Sequence, residues 1–309
     1  MPDQRVVSEE IPAALADERL DRVVALMAEV SRSTAARMID EGAVAVDGVV
    51  AASGSLRVVI GSTIRAVRPA PRDPRPIPDG EVEFAVVYED PDIVVVDKPV
   101  GLVVHPGAGH PDRTLVNGLV SRYPEMASVG EAHRPGIVHR LDRTTSGLLV
   151  AARSAKAYRG LVQQLSAREP ERVYQALVWG HLEADQGTID APVGRSLRHP
   201  TRMSVTDRGR RASTRYEVLD RFSQPRDTTL LSCRLETGRT HQIRVHLRAI
   251  GHPVVGDRAY DGARPGIEMT RPFLHACALS LRHPVTGERL ELESALPQEL
   301  SATLARCAA

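Results

Sequence analysis

The sequence has few cysteines and no long apolar run. Its three cysteines, Cys233, Cys277 and Cys307, are odd in number, and none belongs to a CxxC pair. This pattern argues against a disulfide framework and a zinc ribbon, and it is typical of a reducing compartment. No apolar run approaches the ~18 residues of a membrane span, and residues 1–10 lack the apolar core of a signal peptide. We therefore expect a soluble cytoplasmic protein that has no membrane partner.

Large aromatic residues and lysines are also scarce. With three Phe and one Trp, the core must consist largely of Val, Leu, Ile and Ala. Lys98 and Lys156 are the only lysines, so almost every positive charge is a guanidinium. Guanidinium groups suit phosphate binding, but codon bias also explains the excess of arginine over lysine. The net charge of +1 predicts no nucleic-acid partner by itself. Seven arginines and one acid between residues 195 and 215 form either a phosphate-facing stripe or a solvated loop.

The N-terminal region predicts a small helical module. A first helix capped by Asp17 buries an apolar stripe made of Leu20, Val23, Val24 and Met27. A second helix is predicted from Ser31 or Ser33 to Gly42, and a hairpin with a type I′ turn at Asp47-Gly48 follows. Five prolines between residues 69 and 78 favour a semi-rigid spacer. We therefore expect domains at residues 1–68 and 81–309, with a linker over residues 69–80.

The segment HRLDRTTSG, residues 139–147, is the strongest candidate for chemistry. Apolar runs on both sides, at residues 137–138 and 148–152, predict a loop between two strands, where functional side chains are common. Asp142 is the only acid of the loop, and the charges of Arg140 and Arg143 favour its ionised form. Such a carboxylate suits nucleophilic or electrostatic catalysis. The alternative is a turn in which the aspartate only caps backbone amides.

The segment LETGRTHQIRVHLRAIG, residues 235–251, predicts a helix capped by Thr240. Ile243, Leu247 and Ile250 form its buried stripe, and Arg244 can offer two N–H groups to a carboxylate, although the sequence does not say which one. His241 and His246 are five residues apart, which is the wrong spacing for two metal ligands on one helical face, so we interpret them as polar or packing residues.

The remaining segments predict further strands and helices. Lys98 and His105 lie in a loop without a phosphate-binding glycine motif, and we interpret that loop as the floor of a cleft. Tyr174 belongs to a predicted strand, where a half-buried structural aromatic is the alternative to a functional role. The predicted helices lie near Leu115 and at residues 155–168, and the predicted strands at residues 84–88, 93–96, 172–179, 214–222 and 229–235.

Residues 19–50, RLDRVVALMAEVSRSTAARMIDEGAVAVDGVV, resemble the S4-type RNA-binding domain. In that family the second helix and the hairpin present basic side chains to structured RNA. The resemblance therefore implies that Arg32, Arg37 and Arg57 contact RNA.

Three further segments resemble the successive signatures of the RluA-type pseudouridine synthases: HRLDRTTSG, the tyrosine of ERVYQALVWG, and LETGRTHQIRVHL. The resemblance implies an α+β fold that has a mixed, largely antiparallel sheet with a central cleft, plus a small N-terminal α/β domain. It implies an isomerase that converts specific uridines of RNA, foremost large-subunit ribosomal RNA, to pseudouridine. A monomer without cofactor or metal is expected.

Roles for single residues also follow from the resemblance. Asp142 is the implied catalytic group, Arg244 its salt-bridge partner, and Tyr174 the aromatic ring against the target base. Ile243 packs near the uracil, and Arg140 fills the gap left by the extruded nucleotide. Because a base within a helix cannot be reached, the target must be flipped out, at a cost of a few kcal/mol.

Two other classes of function remain open at this point. One is a non-catalytic RNA-binding or assembly factor that uses both domains only to hold ribosomal RNA. The other is a metallohydrolase that draws on the eleven histidines.

Overall fold

A computed structural model describes residues 6–68, 73, 75–107 and 110–308. The chain forms two compact units, Met1–Pro74 and Arg75–Ala309. The proline-rich segment between the domains expected from the sequence lies partly outside the described residues. No helix among the described residues is long and apolar enough to cross a bilayer.

In the first unit the described elements are β1 (Val6–Glu10), a 3-10 helix (Ala13–Leu15), α1 (Leu20–Met27), α2 (Arg32–Asp40), β2 (Val44–Val46), β3 (Val49–Val50) and β4 (Thr63–Val67). The four strands form an antiparallel sheet in the order β1-β4-β2-β3. Asp47 and Gly48 both have positive φ, 50° and 82°, as the predicted type I′ turn requires. The predicted cap of α1 was wrong, because Arg19 occupies the N-cap position and Asp17 precedes it in a left-handed conformation.

A nine-stranded sheet forms the centre of the second unit. Eight strands follow the order β5-β6-β7-β14-β8-β13-β12-β9, and the ninth, β15, pairs with β14. Among the described strand pairs only β7 and β14 run parallel, so the expected mixed, largely antiparallel sheet is confirmed. The strands of this sheet are β5 (Ala85–Glu89), β6 (Ile93–Lys98), β7 (Ser146–Ala152), β8 (Glu171–Trp179), β9 (Gln186–Asp190), β12 (Ser213–Phe222), β13 (Thr228–Leu235), β14 (Leu274–Arg282) and β15 (Arg289–Glu293).

Among the described residues, four α-helices, one 3-10 helix (Pro124–Ser128) and a separate hairpin complete the second unit. The α-helices are α3 (Leu115–Arg122), α4 (Ala155–Ala167), α5 (Gln242–Ala249) and α6 (Gln298–Ala308). The hairpin pairs β10 (Val193–Arg195) with β11 (Met203–Val205) and contains several of the clustered arginines. A small apolar cluster that includes Val245 of α5 and Tyr260 anchors the hairpin, because Val193 and Met203 pack into it.

Apolar side chains cover both faces of strands β6 and β7. Val94 and Val96 belong to the same cluster as Leu115 of α3, whereas Ile93 and Val95 belong to a second cluster with α4. Side chains of a strand alternate between its faces, so a strand covered by a helix on each side needs a continuous apolar run. Strands β6 and β7 are thereby fixed from both sides, and the segment between residues 137 and 146 leads directly into β7.

Three predictions for the segments that carry Asp142 and Arg244 were wrong. Ile137 forms only an isolated bridge with Ala151, so the expected first strand before the Asp142 loop is absent from the described structure. His241, not Thr240, is the N-cap residue of α5. Ile250 is 39% exposed and therefore does not belong to the buried stripe.

Gly147 allows β7 and β14 to approach each other closely. Its φ is 112°, and a Cβ atom at this position would lie 2.2 Å from the backbone oxygen of Ala276. The two residues are partners in the parallel register. Only glycine fits such a contact, so this position fixes the start of β7 directly after the Asp142 loop.

Candidate active site

The second unit contains a cleft of about 520 Å³ beside the central strands. Residues 137–142 line one side and residues 235–244 line the other. Tyr174 and Leu274 of two adjacent strands also contribute to the lining. Two sequence segments with candidate chemistry, more than ninety residues apart, therefore meet in one cavity.

Asp142 and Arg244 form an ion pair within this cleft. Arg244 Nη1 donates a hydrogen bond of 3.1 Å to Asp142 Oδ2. The side chains are 7% and 15% exposed for Arg244 and Asp142, respectively. The capping interpretation requires that the Asp142 carboxylate accept a hydrogen bond from a backbone amide. Among the described residues no backbone amide donates to it. The arrangement places one negative charge, balanced by one guanidinium, at the surface of a cavity.

A second carboxylate, that of Asp257, fixes the other side of the guanidinium. Arg244 Nε donates to Asp257 Oδ2 at 2.6 Å and Nη2 donates to Oδ1 at 2.9 Å, while the Asp257 side chain is fully buried. Burial alone would lower the pKa of Arg244, but the hydrogen bonds and charges of Asp257 and Asp142 raise it above its ordinary value. Arg244 therefore stays charged and directs its remaining nitrogen, Nη1, at Asp142.

Asp257 was not identified from the sequence. It follows the apolar pair Val254 and Val255 in a turn, where an aspartate is an ordinary residue. Asp257 lies thirteen residues after Arg244, and no helical or strand periodicity relates two positions at that spacing. The sequence therefore gives no signal that the two side chains meet. Only the fold brings them into contact.

The loop that carries Asp142 is held by the segment after β6. Gly101 N–H donates to Arg143 O at 2.8 Å, and Arg143 Nε donates to Gly101 O at 3.1 Å. Lys98 is fully buried beneath this segment and donates from Nζ to the carbonyls of Pro99 and Leu102. These contacts agree with the structural role expected for Lys98.

Burial lowers the pKa of Lys98 to about 7, although the charge of Asp142 acts in the opposite direction. The lysine is therefore an ionisable group that is electrostatically coupled to Asp142 without being its ion-pair partner. A change in its charge would alter the electrostatic environment of the Asp142 loop.

Tyr174 and Ile243 supply apolar surface to the cleft. Both are at least 95% buried and both line the cavity near Asp142. Burial raises the pKa of Tyr174 to about 12, so its hydroxyl stays protonated. An aromatic ring and an aliphatic side chain beside an ion pair give a pocket in which a planar, neutral group can be held.

Arginine is the most frequent charged residue of the cleft lining. Arg140 is exposed, and its Nη1 lies 3.4 Å from Nε2 of His105, another lining residue. The full set consists of Arg134, Arg140, Arg168, Arg172, Arg239 and Arg244. Only Arg140 and Arg244 were identified from the sequence as candidate site residues, because the six arginines gather only in the fold. A cavity lined in this way favours a polyanion.

The arginines between residues 195 and 215 lie outside the cleft lining. Six of the seven are exposed, which is compatible with both interpretations of that segment. Two of them pair with acids: Arg211 with Asp190 at 3.8 Å and Arg215 with Glu236 at 2.7 Å.

The implied RNA contacts of the first unit are also on its surface. Arg32 lies 3.2 Å from Asp21, and Arg37 lies 3.7 Å from Glu41. Hydrogen bonding from Arg19, with support from Arg32, lowers the pKa of Asp21 to about 2. Arg32 is thus oriented by a fixed negative charge while its side chain remains 58% exposed.

Within the described residues, one cluster has metal-ligand geometry: Asp90, Asp92 and His283. It lies away from the cleft lining, and several of its polar atoms are engaged by the protein. Asp90 Oδ1 accepts hydrogen bonds from the amides of Asp92 and Ile93, and His283 Nδ1 accepts from two backbone amides. Nε2 of His283 lies 2.9 Å from Asp90 Oδ2 but makes no hydrogen bond of regular geometry among the described residues. Hydrogen bonds of the turn thus engage Asp90 and the other ring nitrogen of His283.

Two histidines of the central motifs are also committed to internal hydrogen bonds. His246 is fully buried between Thr214 Oγ1 and the Ala191 carbonyl, as expected for a packing residue. His139 Nε2 accepts from the Val150 amide, and burial lowers the pKa of His139 to about 3.

Comparison with known protein families identifies both units. Residues 92–249 match the family described as RNA pseudouridylate synthase, and residues 18–64 match the S4 domain. The first match covers half of the chain and includes Asp142, Tyr174 and Arg244.

Curated relatives match over nearly the whole length. An uncharacterized RNA pseudouridine synthase of Chloroflexus aurantiacus is 48% identical, over 98% of this chain and 93% of the relative. The ribosomal large subunit pseudouridine synthase D of Pseudomonas aeruginosa is 43% identical, over 97% of this chain and 95% of the relative. Among solved structures, human RNA pseudouridylate synthase domain containing 1 superimposes with a TM-score of 0.58 at 28% identity, over 73% of this chain and 89% of that one.

Proposed function

This chain belongs to the RNA pseudouridylate synthase family, and we propose that it converts specific uridines of RNA to pseudouridine with Asp142 as its catalytic group. The observation that carries the proposal is the ion pair between Asp142 and Arg244 in an arginine-lined cleft. The family gives the reaction, and the geometry gives the residues that we assign to it.

The reaction breaks the N-glycosidic bond of a uridine, turns the freed uracil and joins it to the ribose through carbon. Every atom of the substrate is kept, and the overall change involves no oxidation or reduction. The protein must supply a group that attacks the uracil ring or the sugar, or that assists departure of the base. Asp142 pairs with the nearly buried guanidinium of Arg244, whereas the other carboxylate of the lining, Glu236, pairs with the exposed Arg215, and this suits Asp142 to the task.

Arg244 keeps that carboxylate charged and oriented when RNA covers the cleft. Without a cationic partner, a carboxylate enclosed away from water tends to take up a proton. Asp257 supports this function indirectly, because it prevents the guanidinium from turning away from Asp142. A reacting group that is displaced by about 1 Å can lose a hundredfold in rate, so this orientation matters for catalysis.

The rest of the cleft fits an everted nucleotide. The Tyr174 ring and Ile243 provide apolar contacts for the uracil, and the arginines provide charge for the flanking phosphates. Arg140 is exposed beside Asp142, where it can occupy the gap that the extruded base leaves in the helix. We assign Arg32 and Arg37 of the first unit to contacts with structured RNA, in line with the S4 match.

We further propose large-subunit ribosomal RNA as the substrate, which places the enzyme in the cytoplasm. The support is the name of the Pseudomonas aeruginosa relative, which aligns over nearly its whole length. We propose that the enzyme acts as a monomer without cofactor or metal, since both sides of the cleft come from one chain and the isomerisation consumes no second reagent.

The test is the variant Asp142→Asn, which keeps the size of the side chain and removes its negative charge. Pseudouridine formation in a ribosomal RNA transcript should vanish, whereas RNA affinity should stay within about twofold, because the carboxylate does not bind phosphate. Asp185→Asn is the matched control, since Asp185 is an exposed carboxylate that pairs with Arg221, and neither residue belongs to the cleft lining. Unchanged pseudouridine formation by Asp142→Asn would refute the assignment.

The same assay separates the other two classes of function. A non-catalytic assembly factor would bind the transcript but form no pseudouridine even as the wild-type protein. A metallohydrolase would lose its activity in a chelator, whereas we expect full pseudouridine formation under that condition.

A further inference from the structure

His241 begins helix α5 in a conformation that few residues adopt. Its φ and ψ are 58° and 19°, in the left-handed region, and its side chain does not cap the helix. A non-glycine residue in this region costs free energy, and such residues persist where surrounding contacts hold them, often at functional sites. His241 lines the same cleft as Asp142.

The surrounding contacts come from the neighbouring loop. Gln242 Oε1 accepts hydrogen bonds from Thr237 Oγ1 and the Arg239 amide, and its Nε2 donates to Ser213 O and Thr214 Oγ1. Every hydrogen-bonding atom of the Gln242 side chain thus binds the turn to strand β12 or to the loop itself. The backbone that positions His241 is rigid for this reason.

A buried tyrosine holds the imidazole ring. His241 Nδ1 lies 2.7 Å from the hydroxyl oxygen of Tyr260, and the amide of Met203 in β11 donates to that oxygen at 2.9 Å. Tyr260 is 98% buried, and its ring lies 5.0 Å from the guanidinium of Arg244. The Tyr260 hydroxyl therefore links the hairpin of β10 and β11 to the imidazole of His241, while the Tyr260 ring lies beside Arg244.

The described hydrogen-bond partners of the Tyr260 hydroxyl determine which atom carries each proton. An amide can only donate, so the Tyr260 oxygen accepts from Met203, and its own proton needs an acceptor. Among the described residues, His241 Nδ1 is the acceptor that Tyr260 contacts. The opposite tautomer would leave a buried hydroxyl proton without a partner, which costs about 1–3 kcal/mol. Nδ1 is consequently unprotonated, and the single N–H of the neutral ring is at Nε2.

The charges around the ring are compatible with the neutral form. Burial lowers the pKa of His241, Asp142 and Asp257 act to raise it, and Arg244 and Arg140 act to lower it. Among the described residues Nε2 has no hydrogen-bond partner. The cleft therefore contains a neutral N–H donor, and the hydrogen bond from Tyr260 to Nδ1 fixes the orientation and the tautomer of its ring.

We propose that the Nε2–H of His241 donates a hydrogen bond to a carbonyl oxygen of the target uracil. This inference rests on the proposed function and assigns a substrate contact to a residue that we interpreted from the sequence as polar or packing. A fixed neutral donor suits a neutral carbonyl, whereas the phosphates are better matched by the six arginines of the cleft. The bond strengthens as negative charge develops on the carbonyl oxygen while the uracil is detached.

The tautomer is tested on the free protein. The full chain, labelled with ¹⁵N at histidine, should show the His241 ring with Nε2 protonated and Nδ1 unprotonated near neutral pH. Tyr260→Phe keeps the ring beside Arg244 but removes the hydroxyl, so the His241 signals should move toward a mixture of tautomers. A wild-type ring protonated at Nδ1 would overturn the proposal, whatever the enzyme's activity.

The substrate contact is tested by two substitutions with opposite backbone preferences. Asn tolerates the left-handed conformation but lacks an atom at the position of Nε2, whereas Gln places an amide N–H near that position on a less suitable backbone. His241→Asn should lower the single-turnover rate about tenfold to a hundredfold with RNA affinity unchanged within about twofold. His241→Gln should recover most of that rate.

The outcomes of this experiment are decisive. Recovery by Gln and not by Asn supports the contact, because a purely structural role would favour Asn. Equal rates for the two variants, a higher rate for Asn than for Gln, or a loss confined to RNA affinity would overturn it. An inactive wild-type enzyme would instead refute the proposed function, and the tautomer measurement would still decide whether His241 is the donor described.

Discussion

Replacement of Asp257 by Asn should damage the enzyme more than any other single loss of a carboxylate outside the reacting pair. The fully buried carboxylate accepts two hydrogen bonds from Arg244. In Asp257→Asn the amide oxygen can accept only one of them, and the amide nitrogen faces the other N–H donor. Arg244 then lacks one of its two negative partners in a site that is almost closed to water.

The expected loss of stability follows from the burial of the ion pair between Arg244 and Asp257. Removal of one partner of a buried, hydrogen-bonded ion pair costs about 3–5 kcal/mol, because the remaining charge stays buried. For a unit of this size, about 1 kcal/mol lowers Tm by roughly 2–4 °C, so the second unit should melt roughly 10 °C lower. The single-turnover rate should fall at least about tenfold, since Arg244 no longer holds Asp142 in one position.

Asp261→Asn is the matched control for this prediction. Arg248 and Asp261 repeat the spacing of Arg244 and Asp257 along the chain, but both side chains of the second pair are more than half exposed to solvent. Their contact of 2.7 Å should contribute less than about 1 kcal/mol. Thermal unfolding and single-turnover kinetics of both variants provide the comparison. The reasoning is refuted if Asp257→Asn melts within about 2 °C of the wild type or if both variants lose the same stability.

Three further outcomes follow from the fold. The difference in unfolding free energy between the wild type and Lys98→Met, taken as wild type minus variant, should increase from about pH 7 to pH 10, as measured by urea unfolding. Over that range the lysine of the unfolded chain still binds a proton, whereas the folded lysine, with its pKa of about 7, has lost it. A difference that does not change with pH would contradict this prediction. Gly147→Ala should cost roughly 2–5 kcal/mol in the same assay, since its methyl group would meet the Ala276 carbonyl, and a cost under about 1 kcal/mol would show that the strands can separate. Ser31→Ala should lower the stability of the first unit by about 1 kcal/mol through loss of the cap on Thr34 N–H, whereas Ser33→Ala serves as the neighbouring control.

Local patterns predicted most of the secondary structure correctly. The apolar stripe of α1, the Asp-Gly turn and the run of residues 93–96 each depend on neighbours close in sequence, and each is present in the structure. The boundaries that failed, at residues 137–138 and at Thr240, depend on distant contacts. The αL conformation of His241, for example, is held by hydrogen bonds that reach strand β12 through Gln242 and Tyr260 through the imidazole.

The candidate site was partly predictable for the same reason. Asp142 and Arg244 belong to motifs that are recognisable in the sequence, and the match to the RNA pseudouridylate synthase family covers both. Asp257 and Tyr260 carry no such signal, although they hold Arg244 and His241 in position. Their roles depend on a turn folding back onto α5.

The sequence by itself determined the family, many but not all of the helices and strands, and the two charged residues at the centre of the cleft, because motifs and periodicity are properties of short segments. Only the tertiary structure decided which charges meet. Asp142 and Arg244 are 102 residues apart, and the arginines of the cleft are scattered over residues 134–244. A hydrogen bond or an ion pair depends on distances of a few ångströms, and chain packing, not sequence spacing, sets those distances.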